Sequence, residues 1–296
     1  MAEKKRHHTV PECYLAGFSE GDYSNAFFKQ QYKVVRHINI ANLCVESRFY
    51  EVDEKYLVRG KEKLDIEDNF FSSGIEPIFK HTISLIEKVI ENMLSRGLEI
   101  AKVNITQNIR RAIAYLILIQ YYRTPRFRTL FDNKSAKVKH PFTNKKGELV
   151  ESIDDPVLLH AFHSFTNKEL MKELSYILAS GYWIIRYSPN GNFFTSDNPV
   201  IVYNNKISDE RKLYTPAKMG DPHSIVFFPI NHYIMLEIFS IDEFPDKAEF
   251  NNYIFSVDKS YEDLINGYTF LNGEKSIISY TGDFGILFPQ ITLEIN

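Results

Sequence analysis

Cysteine is scarce in this chain of 296 residues, where Cys13 and Cys44 are the only two and no Cys-x-x-Cys pair occurs. That excludes a disulfide framework, and a reduced cytoplasm is the expected compartment. The charged N-terminus lacks the apolar stretch of a secretory leader. Long hydrophobic runs are missing too. The best of them, Ala112 to Ile119 (AIAYLILI), falls far short of the roughly 20 residues that cross a bilayer, so no membrane partner is expected. Several mechanistic signatures are absent as well: no Gly-rich phosphate loop, no Gly-x-Ser-x-Gly elbow and no His-Glu-x-x-His helix. A formal net charge of -3 excludes a uniformly basic nucleic-acid coat.

Aromatic residues are plentiful, with 23 Phe and 18 Tyr, and the length suffices to bury a sizeable core. Charge is segregated. Between Lys102 and Glu148 the cations Lys102, Arg110, Arg111, Arg123, Arg126, Arg128, Lys134, Lys137, Lys139, Lys145 and Lys146 face only Asp132 and Glu148, and from Asp242 to Asp263 the balance reverses.

Periodicity sets the expected fold class as α+β, with a short N-terminal β region, a central helical bundle and a C-terminal, mostly antiparallel β-sheet. No internal repeat or clear linker is visible, so one continuous domain, 1–296, is expected, with sub-regions 1–75, 76–181 and 182–296. The N-terminal region alternates apolar and polar residues, as in YKVVRHINIANLCVESRFY, with turns expected at Gly21-Asp22 and Ser24-Asn25. Residues 77–95 read as a helix, stopped at Gly97. A second helix is capped by Asn104 or Thr106 and ends near Thr124, because Pro125 disfavours helical geometry in the residue before it. Residues 132–152 have the composition of a solvated loop. A further helix begins at Pro156, capped by Asp154 or Asp155, and runs in two parts to Ser180. From Tyr182 onward short β-rich runs dominate, with PNGN expected to make a type I′ hairpin and one late helix around Lys259 to Gly267.

Three constellations carry the candidate chemistry. The opening KKRHHTVPECYLAGF puts two histidines before a Val-Pro break. The pair is suited either to general-base chemistry on water or to a hydrogen-bonded anchor for the N-terminal segment. It differs from an HNH nuclease motif because Asn39, Asn42 and His37 fall in a stretch that reads as strand. QYYRTPRFR, residues 120–128, groups three arginines at a helix end, suited to phosphate or carboxylate. Arg126 and Arg128 also suit the negative end of the helix dipole, whereas Gln120 and Arg123 lie one turn apart and point the same way. FFTSDNPVIVYN, residues 193–204, places Ser196, Asp197 and Asn198 at a strand end, where Asp197 either binds metal, activates water or orients a histidine, or else caps nearby amides in an Asx-turn. His160 and His163 have helical spacing for a metal, but no nearby carboxylate or cysteine completes a ligand set.

Taken in order, His8-Thr9-Val10-Pro11 with Tyr14, Leu15 and Phe18, then Phe49-Tyr50, Glu76, Gln120-Tyr-Tyr-Arg123-Thr124-Pro125 and Ser196-Asp197-Asn198-Pro199 resemble the signature of an uncharacterised bacterial domain-of-unknown-function family. Its members open with His-x-Val-Pro-x-x-Tyr-Leu and carry a late Thr-Ser-Asp-Asn-Pro. The resemblance spans most of the chain and implies no settled reaction. It implies a residue list: His8, Glu76, Gln120, Arg123, Asp197 and Asn198 as polar members of a shared site, with Pro11, Tyr14, Leu15, Phe18, Tyr50 and Pro199 as architecture and His8 favoured over His7.

The expected function is hydrolysis of a phosphate ester, with nucleic acid or a nucleotide as partner. His8, Glu76 and Asp197 would be catalytic, and Gln120, Arg123 and Asn198 would bind substrate. The divalent metal such chemistry uses is Mg or Mn, and the sequence does not name it. The alternative is a non-catalytic binding or sensing module in which Arg123 and the basic 134–146 segment hold an anionic partner.

Overall fold

The structure, a computed structural model, describes residues 6–57, 71–97, 100–129, 138–164, 167–204, 206 and 219–287, apart from the side chains of 54, 140, 162 and 163. Lys134, Lys137 and the side chain of His163, which entered the sequence reading, lie outside it.

The chain opens with β1 (Arg6–His8), then α1 (Glu12–Leu15), β2 (Tyr23–Phe28), β3 (Lys33–Asn39) and β4 (Val45–Ser47). The Gly21-Asp22 turn is present, with Gly21 at φ +59. Ser24-Asn25 instead lies inside β2, and the β2–β3 turn forms after Phe28, closing with Tyr32 at φ +49.

Helices follow. In α2 (Glu76–Leu94) the buried Phe79, Thr82, Ile86, Ile90 and Met93 recur at three- and four-residue spacing, and Gly97 at φ +68 lets the chain leave the helix. After β5 (Ile100–Lys102), α3 (Gln107–Tyr122) starts where the Thr106 hydroxyl accepts from Ile109 N at 3.4 Å. It stops before Pro125, which opens α4 (Pro125–Arg128).

Residues 138–153 are not a loop. They form a hairpin of β6 (Val138–Thr143) and β7 (Leu149–Ile153). Their lysines disguise the strand alternation, but Phe142, Val150 and Ile153 pack on Val52, Tyr56, Leu57 and Leu159. Next come α5 (Pro156–Ser164), its first turn capped by Asp155 Oδ1 accepting from Leu158 N at 3.0 Å, and α6 (Lys168–Ser180).

The remaining elements are β8 (Tyr182–Tyr187), β9 (Thr195–Ser196), β10 (Ile201–Asn204), β11 (Ser224–Asn231), β12 (Ile234–Phe239), β13 (Tyr253–Ser256), α7 (Lys259–Asn272) and β14 (Ser276–Ser279). The fold class is α+β. A six-stranded sheet runs β10-β11-β12-β8-β13-β5, antiparallel except for the β13–β8 pair, and a four-stranded sheet runs β3-β2-β14-β9. Side chains alternate across β8: Trp183 and Ile185 enter the main core with α2, α3 and α6, while Ile184 packs on Phe239 and Phe244 opposite. Every residue of β12 is buried, so the six-stranded sheet is covered on both faces along that strand.

PNGN makes no hairpin, because β8 and β9 belong to different sheets. Gly191 has positive φ and donates to the Ser188 carbonyl at 3.2 Å, while Asn190 is not in the left-handed region, so a type I′ turn cannot form. The turn hands the chain from one sheet to the other. No described helix is long and apolar enough to cross a membrane.

Candidate functional site

The strand period decides the fate of the two opening histidines. In β1, Arg6 is exposed, His7 is buried and His8 is intermediate. His7 Nδ1 accepts from Tyr50 N at 2.9 Å, and its ring stacks on Tyr50 with centroids 5.6 Å apart. His7 is thus the hydrogen-bonded anchor, whereas the His8 side chain stays 19% exposed, with its Nε2 buried.

The end of α3 holds the chain after β1. Arg123 Nη2 donates to the His8 carbonyl at 2.6 Å, and Gln120 Nε2, one turn earlier, donates to the next carbonyl, Thr9, at 3.2 Å. Gln120 and Arg123 do point the same way, and what they meet is backbone. The Arg123 guanidinium also lies 3.4 Å from Glu76 Oε1 and 4.1 Å over the Phe71 ring. Its side chain is 1% exposed against 25% for Glu76, so Glu76 faces solvent more than its partner does.

His8, Glu76 and Arg123 therefore come together, joined by Glu12, which the sequence reading did not single out although it stands four residues from His8. His8 Nε2 lies 3.3 Å from Glu12 Oε1 and makes no hydrogen bond. Burial pushes His8 down to about 4, with Glu76 pulling it up and Arg123 and Arg6 pushing it down. The imidazole is uncharged at neutral pH, so its contact with Glu12 is polar rather than ionic. Cys13 Sγ contacts the Glu76 carbonyl at 3.8 Å, and burial pushes the thiol up to about 11. It is a protonated neighbour and no nucleophile at neutral pH.

Asp197 and Asn198 stand in a second cluster, and no described contact links them to His8, Glu76 or Arg123. Asp197 Oδ1 accepts from Glu274 N at 3.0 Å and Ser276 N at 3.3 Å, and Oδ2 accepts from Lys275 N at 3.0 Å. Burial raises its pKa, and these amide bonds oppose the rise. The carboxylate caps amides, though those of a distant segment; the local turn is tied by Ser196 Oγ, which accepts from Asn198 N at 3.1 Å. Asn198 Nδ2 donates to the Asn272 carbonyl at 3.3 Å, and Asn272 Nδ2 donates back to the Asn198 carbonyl at 2.6 Å. Lys29 donates to the Phe270 and Gly273 carbonyls, and Arg126 to that of Asn272. Cations thus close the negative end of α7 while Asp197 holds the amides beyond it. Arg126 serves the C-terminus of α7, not that of α3.

The basic run is partly interior. Arg128 stacks 3.6 Å from the Phe49 ring centre and donates to His160 Nδ1 at 3.2 Å. His160 is fully buried in that contact and is a packing histidine. Arg110, also buried, binds the Gly181 carbonyl at 2.9 Å and Asn251 Oδ1 at 2.8 Å. Among the described residues no group of three or more His, Cys, Asp or Glu is placed to hold a metal ion.

Against known families, residues 6–283 match the model of one described as "Protein of unknown function (DUF4238)". The chain belongs to this family. The DUF4238 span runs from β1 to just beyond β14 and contains all six candidate residues, His8, Glu76, Gln120, Arg123, Asp197 and Asn198. No curated protein and no solved structure gives a match.

Proposed function

We propose that this DUF4238 chain hydrolyses phosphate esters, with nucleic acid or nucleotides as the substrate class, and that its chemistry centres on His8. The observation that carries the reading is a mostly buried imidazole held uncharged at neutral pH, its Nε2 shielded from solvent and without a hydrogen bond, beside one carboxylate and in the field of a second.

With Nε2 uncovered as substrate arrives, such a ring accepts a proton from water attacking an ester. The imidazolium that forms is stabilised by Glu12 at 3.3 Å and by Glu76. Arg123 fixes Glu76 and the His8 carbonyl and acts by positioning, since its own side chain is out of a substrate's reach. Arg6 is exposed, anchored by donating to Asn42 Oδ1 at 3.0 Å, and close enough to depress His8. It is the cation available to an incoming phosphate. Asp197 and Asn198 are assigned to the clamp on α7, and Gln120 to holding Thr9.

The test is a panel of DNA, RNA and nucleotides, with and without Mg²⁺ or Mn²⁺, on wild type, His8→Asn and Glu12→Gln. His8→Asn is expected to lower the rate by about 10²–10⁴-fold while melting like wild type. The rate should stay flat through neutral pH and fall only as the pH approaches about 4. A folded wild type inert on every substrate, or a fully active His8→Asn, overturns the reading.

A further inference from the structure

A cavity of about 760 Å³ lies away from His8, between α3 and α6. Its volume falls within the ~300–1,000 Å³ of small-ligand sites. Helical spacing builds its walls: Arg111 and Tyr115 stand four residues apart on α3, and Lys168, Lys172 and Tyr176 at the same interval on α6. Ser175 Oγ donates to the Arg111 carbonyl at 3.4 Å, which places Arg111 level with the Tyr176 end of α6.

Arg111, Lys168 and Lys172 have no ion-pair partner among the described residues. Lys168 and Lys172 are like charges at i,i+4, an unfavourable spacing on an isolated helix. Tyr176 is 59% exposed, an aromatic face presented to solvent. Glu169 and Glu173 also line the cavity, which leaves one net positive charge among its five charged side chains. Cations interleaved with aromatic rings in one concavity complement a ligand that carries both phosphate and a flat ring. We propose that this cavity binds a nucleoside phosphate, free or as a unit of a single strand, with Arg111, Lys168 and Lys172 on the phosphates and Tyr115 or Tyr176 against the base. Arg111 lies on α3 and Arg123 at the residue just past its end, twelve positions and about 18 Å farther along the axis, so this site is separate from the one proposed around His8 and does not rest on it.

Calorimetric titration tests it with ATP, adenosine, inorganic phosphate and a short oligothymidylate. ATP should bind, adenosine and phosphate at least about tenfold more weakly. Arg111→Gln, Lys172→Gln and Tyr176→Ala should each weaken ATP about tenfold without changing the melting temperature, and His8→Asn should leave its affinity alone. Binding of the oligonucleotide but not ATP, with the same dependence on the three variants, assigns the ligand to a strand and supports the site. No binding by any probe, phosphate binding as tightly as ATP, ATP affinity indifferent to Arg111→Gln and Lys172→Gln, or ATP affinity lost in His8→Asn overturns it.

Discussion

Arg123 looks from the sequence like a hand held out to phosphate, yet its guanidinium is folded under Phe71 and spent on Glu76 and the His8 carbonyl. Removing a buried charge strands its partners. Arg123→Met is expected to cost about 3 kcal/mol in denaturant unfolding and, because Arg123 depresses His8, to raise the His8 pKa followed by NMR. A pKa left where it was would mean that burial alone sets it. Asp197 makes a complementary case. Asp197→Asn would keep one acceptor oxygen and turn an amide NH2 toward at least one of the three backbone donors. One orphaned buried amide costs ~1–3 kcal/mol, so a fall of several degrees in melting temperature is expected. A variant melting like wild type would show that the clamp does not need the carboxylate.

At the scale of elements, the two glycines that bracket the end of α7 respond oppositely to one methyl group. A Cβ on Gly273 would come within 2.6 Å of Ile277 Cδ1 and 2.9 Å of Ser196 Cβ, whereas one on Gly267 meets nothing within 4 Å. Gly273→Ala should destabilise by ~1–3 kcal/mol and Gly267→Ala should stabilise by ~0.5–1 kcal/mol. Chemical denaturation of the two variants checks both signs. Long elements were legible because a helix writes its own period: α2, α3 and α6 were readable from spacing and from Thr106, Pro125 and Gly181. The β6–β7 hairpin was not, because Lys139, Lys145 and Lys146 outweigh Phe142, Val150 and Ile153 in composition although the latter fix its packing. The three-residue β5 was missed because so short a run has no period to detect. The site divides the same way. His8 and Glu12 share a local spacing that was available to reading. The partners of Asp197 lie 77 to 79 residues onward, where no pattern could point to them.

For the whole molecule, buried ionisable groups set the response to acid. His8 is held down to about 4 from 6.5, and burial lowers His232 as well. A depressed histidine leaves the unfolded chain binding more protons, so its contribution is complete above 6.5 and lost as the pH falls toward the folded value. Burial raises Asp197, Glu237 and Glu274, whose protonation acts in the opposite sense at lower pH. Melting temperature should therefore fall as the pH drops through 6.5 and recover part of that loss in His8→Asn. An identical pH profile for the variant would place the acid sensitivity elsewhere.

The four-stranded sheet joins β2 directly to β14, with Asn25 Nδ2 donating to the Ser279 carbonyl across 254 residues of chain. On a ribosome adding ~5–20 residues per second, the first of these strands waits on the order of tens of seconds for its neighbour. During that time the β2–β3 hairpin has one edge open to any passing strand, an aggregation hazard. Translation speed and early chaperone contact, rather than the stability of the finished protein, would then govern how much of it matures in a cell.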